Sequence, residues 1–554
     1  MKNAAESPFV VNRLEALPEP PPVVVTSTLP EPRRWWTSPA AIAVIAFLGI
    51  ALRGAAWLND RNLWIDESML SLNLIERSPA RLLEPLDWNQ GAPIGFLLAV
   101  KTVIASIGIT ESSLRLVPMF GSLLGVIGFA WLALKFLPRP AATIAIALFS
   151  VSPFLISYAA ECKQYATDAA IAIGLFASAA SLLQGEGGFR RWAILAAAGA
   201  MAVWCSHPAA FILGGIGTAL LADAILDKNR TRFLAAAATV ACWLISFAAC
   251  YLLCLKNLGN NQYLLNYWDG HFLPLPPKSP GDAAWLLDHF FAPFAYPGGL
   301  GGTEIRAGGI AAVFFLIGMA SLGKRNWRIA IAMILPGLLA LLASGLHKYP
   351  FAGRLLLFLT PIMVLGVAEG AYRVVAALAR PLPIAAALFL GVLMAAPALE
   401  TYQELRRPMR SEQLQPILMQ VRGAWQTGDR MYVYYGALPA FTFYTREAPF
   451  PANAVTAGTE TRKNEAEYRE QLLPYQGQPR VWLVFSHRHH HEESTILTYA
   501  EGLGRCERVI RGEGAAAMLF NFAAAPGSAS ASHVDAGPVR DESKSADIKR
   551  GGDR

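Results

Sequence analysis

Apolar runs long enough to cross a bilayer are the dominant feature of this chain and restrict it to a membrane fold. A membrane-spanning helix needs about 20 predominantly apolar residues, and about eleven runs approach that length. Hydrophobic residues make up 54% of the chain and charged residues only 16%, which is too apolar for a soluble globular protein. The sequence therefore predicts an α-helical polytopic membrane protein. The runs lie at residues 37–57, 114–136, 141–160, 167–184, 192–206, 209–226, 233–255, 307–322, 329–346, 355–376 and 383–399.

The distribution of apolar residues divides the chain into four regions. The two ends are rich in polar and small residues, and the N-terminal end lacks the apolar segment of a signal peptide, so both ends are expected to be disordered tails. The apolar runs belong to one transmembrane domain, which is followed by a mixed segment. The regions are the tail 1–36, the transmembrane domain 37–399, the mixed segment 400–525 and the tail 526–554.

The mixed segment 400–525 has the pattern of a small soluble domain. Strand-like apolar runs occur at 431–435 and 481–485, and helical patterns occur at 411–426 and 494–503. This alternation predicts a small α/β domain after the last membrane span.

Basic residues set the expected orientation in the membrane. The formal net charge of +7 does not indicate a nucleic-acid partner, because lysine and arginine lie mainly in short clusters between apolar runs, as they do in cytoplasmic loops. Placing the N-terminus in the cytoplasm puts each of these clusters inside and puts the α/β domain on the extracytoplasmic side. The clusters are Lys135/Arg139, Arg190/Arg191, Lys228/Arg230/Arg232, Lys324/Arg325/Arg328 and Arg373/Arg380.

One further apolar segment, residues 92–108, does not fit as a span. Lys101 lies at its centre, and counting the segment as a span would invert the charge bias of every later loop. We therefore expect an interfacial helix on the outer face of the membrane.

Several kinds of chemistry are not indicated by the sequence. The six cysteines show no paired or Cys-x-x-Cys spacing, so they predict neither a disulfide framework nor a zinc site. The chain has no G-x-x-x-x-G-K-[ST] phosphate loop, so we do not expect nucleotide hydrolysis. It also lacks Asp-x-Asp, the usual signal of a nucleotide-sugar donor, so any sugar donor is expected to be lipid-linked.

The adjacent acids Asp66 and Glu67 are the strongest chemical signal. They follow the first apolar run on the outer face, where a deprotonated carboxylate could act as a general base on a lipid-borne substrate. Acids also favour the first turn of a helix, so capping of the helix that follows explains the pair about as well.

A second polar cluster follows Ser152-Pro153 on the same expected face. If residues 158–168 are helical, the spacing of four of their side chains places them on one helix face, with Lys163 offset around it. The alternative is a solvated helix end with interfacial charges. The four residues are Tyr158, Glu161, Tyr165 and Asp168.

Two arginines are candidate phosphate ligands. Arg115 begins one apolar run, and Arg354 ends the loop that also contains His347 and Tyr349, two further pocket candidates. A guanidinium group binds phosphate in a bidentate way, although an arginine at a membrane boundary also extends its side chain to lipid head groups. The tract from His487 to Glu493 has no partner ligands at fixed spacing, so we assign it no role.

In these residues the chain resembles the GT-C superfamily of integral membrane glycosyltransferases, in the branch of protein O-mannosyltransferases and aminoarabinose transferases. The resemblance covers roughly residues 40 to 360, and the acid pair with its downstream arginine is its most specific element. The matching segments are Leu63 to Glu67, Ala92 to Ile94, Gly108 to Glu111 with Leu114 to Leu116, Ser152 to Tyr158, Glu161 to Tyr165, and Tyr349 to Arg354.

The resemblance implies a function and a set of roles. It implies transfer of a hexosyl or pentosyl unit from polyprenyl phosphate to a glycan, lipid or protein hydroxyl, with inversion, on the extracytoplasmic face of the bacterial inner membrane. Asp66 then becomes the catalytic base and Glu67 its support, while Arg115, Lys163 and Arg354 hold the donor phosphate.

The resemblance leaves the cofactor open. Some relatives bind a divalent metal ion at the second outer loop and others do not, so no cofactor is certain. If a metal ion is bound, Asp66 and Glu161 are its candidate ligands in this sequence.

Two other functions remain as alternatives. A flippase or transporter of lipid-linked glycans would place ionisable groups near the middle of the membrane, often in repeated halves, whereas here the charges are expected at one interface. A membrane-anchored cell-envelope assembly protein would work through the domain 400–525, which leaves the polar cluster on the outer face unexplained.

Overall fold

The structure is a computed structural model that describes most of the chain. The two predicted tails lie almost wholly outside the described residues. The described residues are 35–301, 308–379, 381–408, 411–461, 464, 466–489, 491–525 and 534–535.

The first three quarters of the chain fold into helices, as the apolar runs predict. Apolar side chains from nearly all of the long helices meet in one extended core. The helices are α1 Pro39–Leu58, α2 Ile65–Glu76, α3 Ile94–Ile107, α4 Glu111–Leu114, α5 Leu116–Phe136, α6 Arg139–Ser150, α7 Pro153–Ser157, α8 Tyr165–Leu183, α9 Phe189–Cys205, α10 Ala209–Leu226, α11 Arg230–Cys250, α12 Lys256–Leu258, α13 Gln262–Tyr267, α14 Pro280–Ala295, α15 Gly308–Arg325, α16 Trp327–Gly345, α17 Thr360–Leu378 and α18 Pro383–Arg406.

Nine of the described helices are long and apolar enough to cross a membrane, or ten if the bent pair α6 and α7 counts as one span. The nine are α1, α5, α8, α10, α11 with its extension to Leu258, α15, α16, α17 with the turn that precedes it, and α18. The predicted run at 192–206 lies in α9, whose 17 residues are fewer than those of any of the nine. The predicted polytopic helical fold is confirmed.

Helix α3 contains the apolar segment that the charge pattern excluded as a span. Its 14 residues extend about 21 Å, short of the roughly 30 Å of a hydrocarbon core. Lys101 Nζ donates a hydrogen bond to the carbonyl of Leu74, 2.7 Å away in the last turn of α2. The lysine in the middle of the apolar run therefore caps a neighbouring helix, and α2 and α3 pack together through their apolar faces.

The bend of 52° between α6 and α7 is stabilised from two other helices. Arg53, buried in α1, donates to the carbonyls of Phe149 and Ser150 at 3.1 and 3.2 Å. Thr401 Oγ in α18 donates to the carbonyl of Val151 at 2.7 Å. Because a broken helix leaves carbonyl groups without intrahelical partners, these contacts fix the direction in which the chain leaves α6.

The C-terminal part folds into a sheet with helices, which confirms the predicted small α/β domain. Its sheet has six strands in the order β2-β1-β3-β5-β4-β6, with β1 parallel to β2 and β3, and β5 antiparallel to β3 and β4. The strands are β1 Arg430–Val433, β2 Val455–Ala457, β3 Val481–Ser486, β4 Arg505–Gly512, β5 Ala515–Asn521 and β6 Val534–Asp535, and the helices are α19 Leu414–Ala424, α20 Leu438–Thr445, α21 Ala466–Leu472 and α22 Glu492–Leu503.

Strand β3 is the centre of this sheet. All six of its residues are buried, which agrees with its unbroken apolar sequence, because a strand covered on both faces does not alternate between apolar and polar residues. At the end of this strand Ser486 and His487 contact Glu412, and the His487 ring lies near that of Trp64, which precedes α2.

Candidate active site

The two adjacent acids lie in the first turn of α2 and point to different surroundings. Trp64 precedes the helix in an extended conformation and gives no side-chain hydrogen bond to it. Consecutive helix residues are about 100° apart, so Asp66 and Glu67 cannot share one environment. The Asp66 side chain is 17% exposed, whereas that of Glu67 is fully buried.

Glu67 is enclosed by hydrogen-bond donors. Arg115 binds its carboxylate in a bidentate way, with both contacts at 2.8 Å. Arg61 Nη1 donates at 3.2 Å, and the backbone N–H of Cys162 donates at 2.7 Å. Burial opposes ionisation of Glu67, but the two arginines outweigh it and lower the pKa of this carboxyl below its ordinary value. Glu67 is therefore a buried, charged anchor of this loop.

Arg115 is equally enclosed. Besides Glu67, its guanidinium donates to the carbonyls of Arg61 and Asn62 at 2.9 and 3.4 Å. Burial disfavours its charge, but Glu67 more than compensates and raises the pKa of Arg115. The structure thus places Arg115 behind Glu67, in contact with the loop that leads into α2. We call Glu67 and Arg115 the buried pair.

Asp66 faces Arg354, the second predicted arginine. Arg354 Nη1 lies 2.6 Å from Asp66 Oδ2, and the two side chains are 18% and 17% exposed. The Arg354 guanidinium also lies over the rings of Trp64 and Tyr165, at 5.5 and 5.6 Å from their centres. These contacts fix its direction by cation–π attraction. We call Asp66 and Arg354 the rim pair.

The turn that carries Arg354 depends on Gly353. This residue has a φ of +47°, a backbone angle that residues other than glycine rarely adopt. A Cβ atom here would lie 2.7 Å from the ring of Tyr296. The hydroxyl of Tyr296 is in turn 2.5 Å from that of Tyr158, so this glycine allows the loop to approach the aromatic wall of the site.

The second polar cluster joins the rim pair, but its local structure differs from the prediction. The condition that residues 158–168 are helical is not met, because residues 161–164 form a turn before α8 begins. The Cys162 amide bonds to Glu67 instead of to a helix carbonyl, which interrupts the ladder. The rings of Tyr158 and Tyr165 still meet, with centres 5.2 Å apart.

Lys163 lies between the charged groups of the site. It is buried, its Nζ donates to Gln90 Oε1, and it interacts electrostatically with Asp66, Glu161 and Arg354. Burial is the largest influence and lowers the pKa of Lys163, Arg354 lowers it further, and the two carboxylates raise it in part. The structure therefore brings Asp66, Lys163 and Arg354 together, with Glu161 and Tyr165 beside them.

The other two pocket candidates have different surroundings. The Tyr349 hydroxyl donates to the carbonyl of Leu355 at 2.6 Å, and its ring packs against Phe211 in the core. His347 is exposed, and its ring stacks on Phe272 with centres 4.8 Å apart. Tyr349 thus supports the turn that carries Arg354, and His347 lies at the edge of this loop.

Comparison with solved structures identifies the architecture. ArnT from Cupriavidus metallidurans bound to undecaprenyl phosphate superposes with a TM-score of 0.50 at 13% identity, covering 87% of this chain and 98% of that chain. The chain has the GT-C fold. The apo form of the same ArnT matches with a TM-score of 0.49 at 14% identity, covering 87% and 98%. Archaeal oligosaccharyltransferase AglB from Archaeoglobus fulgidus, in complex with an inhibitory peptide and a dolichol-phosphate, matches at 0.48 and 12% identity, covering 88% and 74%.

Sequence comparison adds no closer relative to this GT-C fold. No family model matches the chain, and no curated protein matches it. The similarity is therefore one of fold, and the roles of individual residues have to be argued from their geometry.

An apolar groove runs along α8 from Thr167, in the first turn of this helix. It lies between α3, α5 and α8, and its volume is about 570 Å³. Gln164, at the top of α8, donates to the carbonyl of Gly91 at the neighbouring end of α3. Gly174 lines the groove, and a Cβ atom added there would meet no atom within 4 Å.

The two candidate metal ligands, Asp66 and Glu161, both interact with cationic side chains. Across the described ranges, no group of three or more histidine, cysteine, aspartate or glutamate side chains could hold a metal ion. Asp66 pairs with Arg354, and the Lys163 ammonium group interacts with both Asp66 and Glu161. The positive charge beside these two carboxylates is thus supplied by side chains.

Several residues of this site were not predicted from the sequence. Gln90 binds Lys163, Arg61 binds Glu67, and Trp64 supports Arg354. Trp64 lies two residues and Arg61 five residues before Asp66, so their position was a usable signal. Gln90 had no such signal, because its contact depends on how the segment between α2 and α3 packs against the turn before α8.

Proposed function

We propose that this protein is a membrane glycosyltransferase that moves a hexosyl or pentosyl unit from polyprenyl phosphate to an acceptor hydroxyl. The observation that carries the proposal is the group formed by Asp66, Lys163 and Arg354, together with an apolar groove whose lining on α8 starts four residues after Lys163, at Thr167. A base and two cations at the end of a space for an isoprenoid chain match what such a transfer requires.

Asp66 is the general base in this proposal. It accepts the proton of the acceptor hydroxyl as that oxygen attacks the anomeric carbon. The bond between the anomeric carbon and the phosphate oxygen breaks on the opposite face, so the configuration inverts and polyprenyl phosphate leaves with the electron pair. Asp66 lies in the first turn of α2, the end of a helix at which the dipole attracts negative charge.

Arg354 and Lys163 bind the phosphate that departs. A guanidinium has five N–H donors, so Arg354 can hold Asp66 and a phosphate oxygen at the same time and bring base and leaving group together. The ammonium group of Lys163 neutralises the charge that develops on the phosphate.

The buried pair has a supporting role in this proposal. Arg115 makes four hydrogen bonds, to Glu67 and to two backbone carbonyls, so we assign it to the positioning of the loop before Asp66. Glu67 holds three segments of chain together, those that contain Arg61, Arg115 and Cys162.

In this proposal the lipid chain of the donor binds in the apolar groove. Its lining is almost entirely apolar, and two of its lining residues, Leu124 on α5 and Gly174 on α8, are exposed. ArnT, which has the same fold, was crystallised with undecaprenyl phosphate. We therefore propose a polyprenyl phosphate of that type as the carrier.

The charge distribution supports an extracytoplasmic site. Asp223 binds Arg232 and Arg328, so two of the predicted cytoplasmic loops meet at one place. Lys135 and Arg191 likewise meet at Glu186, beyond the end of α8. Helix α8 begins at Tyr165, and the 19 residues of this helix extend about 28 Å. The basic loops and the site thus lie at opposite ends of one spanning helix, which fits a site outside the bacterial inner membrane.

The central experiment measures donor turnover. The full-length protein in detergent is incubated with undecaprenyl-phosphate-linked glucose, mannose or 4-amino-4-deoxyarabinose, each labelled in the sugar, and with an envelope fraction from a strain that lacks the protein. We expect one donor to release undecaprenyl phosphate and to transfer label with inverted configuration. No turnover of any donor, together with movement of intact donor across vesicles, would instead establish a transporter.

A filled groove tests the lipid site. Gly174→Leu places a side chain in the groove and should weaken the binding of undecaprenyl phosphate by about tenfold or more, since each excluded methylene contributes about 0.8 kcal/mol. Gly391→Leu in α18 is the matched control, because a Cβ atom there also meets no atom within 4 Å. Equal affinity in both variants would show that the chain lies elsewhere.

A further inference from the structure

Helix α2, which carries Asp66, has no N-cap of its own. Trp64 stands at the cap position and offers no side-chain acceptor, although the first N–H groups of a helix need partners from outside it. The first intrahelical bond runs from the N–H of Ser68 to the carbonyl of Trp64. The N–H of Ile65 donates instead to Glu412 Oε2, at 3.2 Å. The cap of this helix therefore comes from the C-terminal part of the chain.

Glu412 is held in place by the end of β3. Ser486 Oγ donates to its Oε2 at 3.3 Å, and His487 Nδ1 lies 2.7 Å from its Oε1. Glu412 is buried, so its carboxylate is fixed by the sheet rather than by solvent. The histidine tract from His487 to Glu493 thus begins with a residue that orients this cap.

Two further contacts hold the backbone just before α2. Asn62 and Gln415 exchange two hydrogen bonds, at 3.0 and 3.3 Å. The N–H of Leu63 donates to the hydroxyl of Tyr444 at 2.7 Å. With Ile65, three of the four residues that lead into Asp66 bind the C-terminal part, so this short segment is held from both sides.

The contacts also reach the rim pair. The ring of His487 lies 6.3 Å from the ring of Trp64, centre to centre, and Arg354 lies over the same tryptophan ring. Both members of the rim pair therefore rest on elements that touch Glu412 or His487.

We propose that Glu412 and His487 are positioning residues for the rim pair, and that the α/β domain is a working part of the active site. Glu412 caps α2 and fixes the direction of Asp66, while His487 orients Glu412 and supports the Trp64 ring beneath Arg354. The catalytic meaning of this role rests on the proposed transferase function. The capping itself does not, and it can be measured separately.

Hydrogen exchange tests the capping in the full chain. We expect Glu412→Ala to raise amide exchange about tenfold in a peptide covering residues 61–72, because a cap stabilises the first turn of its helix. Glu412→Gln keeps an acceptor oxygen and should retain most of the protection. Arg446→Ala is the control, since it removes a different contact between the two parts, from Nη2 to the carbonyl of Ile109 at 3.4 Å.

The exchange of β3, residues 481–486, shows whether each variant keeps its folded sheet. Unchanged exchange over 61–72 in Glu412→Ala, or an equal rise in Arg446→Ala, would overturn the capping role. If Glu412→Ala fails to fold, His487→Ala, which leaves the carboxylate in place, provides the second test with a smaller expected rise.

Turnover then tests the catalytic consequence. With the donor that the wild-type protein uses, Glu412→Ala should lower kcat by about 10- to 100-fold, because small displacements of a catalytic group reduce rate strongly, and should leave the KM for donor within about threefold. A rise in KM at constant kcat would contradict positioning of Asp66. Absence of turnover in the wild type would refute the proposed function, while the exchange result would still decide the capping.

Discussion

The rim pair and the buried pair are neighbouring ion pairs of the same chemistry in different environments. Asp66 and Arg354 are each nearly one fifth exposed, whereas the side chains of Glu67 and Arg115 are 0% and 2% exposed. A pair near solvent contributes little to stability, so its partners can separate and bind other groups. A buried pair cannot be broken without leaving an uncompensated charge. The adjacent residues Asp66 and Glu67 thus belong to two different pairs. The rim pair is suited to catalysis, and the buried pair is suited to supporting the loop.

The largest expected effect comes from removing the negative charge of Asp66 in the rim pair. Asp66→Asn should lower donor turnover by about 10²- to 10⁴-fold, the usual contribution of a general base. The free energy of unfolding should change by no more than about 1 kcal/mol, because the lost ion pair is partly exposed. Turnover and the apparent Tm of the detergent-solubilised protein check the two expectations. Undiminished turnover would remove Asp66 from the reaction.

The matching change in the buried pair should act on stability instead. Glu67→Gln leaves Arg115 and Arg61 without their shared negative charge, and breaking a buried pair typically destabilises a protein by about 3–5 kcal/mol. We expect a clear fall in apparent Tm and a loss of activity that follows the loss of folded protein. A stable variant with full activity would show that the burial of Glu67 has no structural role.

Substitutions of the two arginines test whether the rim pair and the buried pair have different roles. Arg354→Lys should weaken the binding of undecaprenyl phosphate by about 10- to 100-fold, since hydrogen bonds to charged groups contribute about 1.5–3 kcal/mol. Arg115→Lys should lower the apparent Tm and leave affinity per folded molecule nearly unchanged. If Arg115→Lys weakens lipid binding as much as Arg354→Lys does, Arg115 contacts the phosphate and the distinction between the pairs fails.

The sequence predicted which residues come together better than it predicted what each one does. Charge counting placed Asp66, Lys163 and Arg354 at the same face, and the structure joins them. It could not distinguish Asp66 from Glu67, because burial depends on partners that are distant in the chain. Arg115 is 48 residues away from Glu67 and Cys162 is 95 residues away.

The C-terminal contacts show the same limit more strongly. The apolar runs of β1 and β3 predicted a sheet, since local pattern determines strands. Nothing in the sequence indicated that Glu412 would cap a helix 347 residues earlier. That contact depends on how the finished sheet packs against the helical part, and a single sequence contains no local signal for it.

The smallest expected effect concerns Lys163 and the pH dependence of lipid binding. Burial and Arg354 lower the pKa of Lys163 below its ordinary 10.5. Lysine is charged below its pKa, so a lowered pKa means that the charge is lost at a lower pH. The affinity for undecaprenyl phosphate should therefore fall as pH rises through this lowered value, by about fivefold for one hydrogen bond of about 1 kcal/mol. Lys163→Arg stays charged throughout this range, so its affinity should remain flat while that of the wild type declines. If the affinities of the wild type and of Lys163→Arg decline in parallel, another group titrates. Arg354 of the rim pair would then bind phosphate without Lys163.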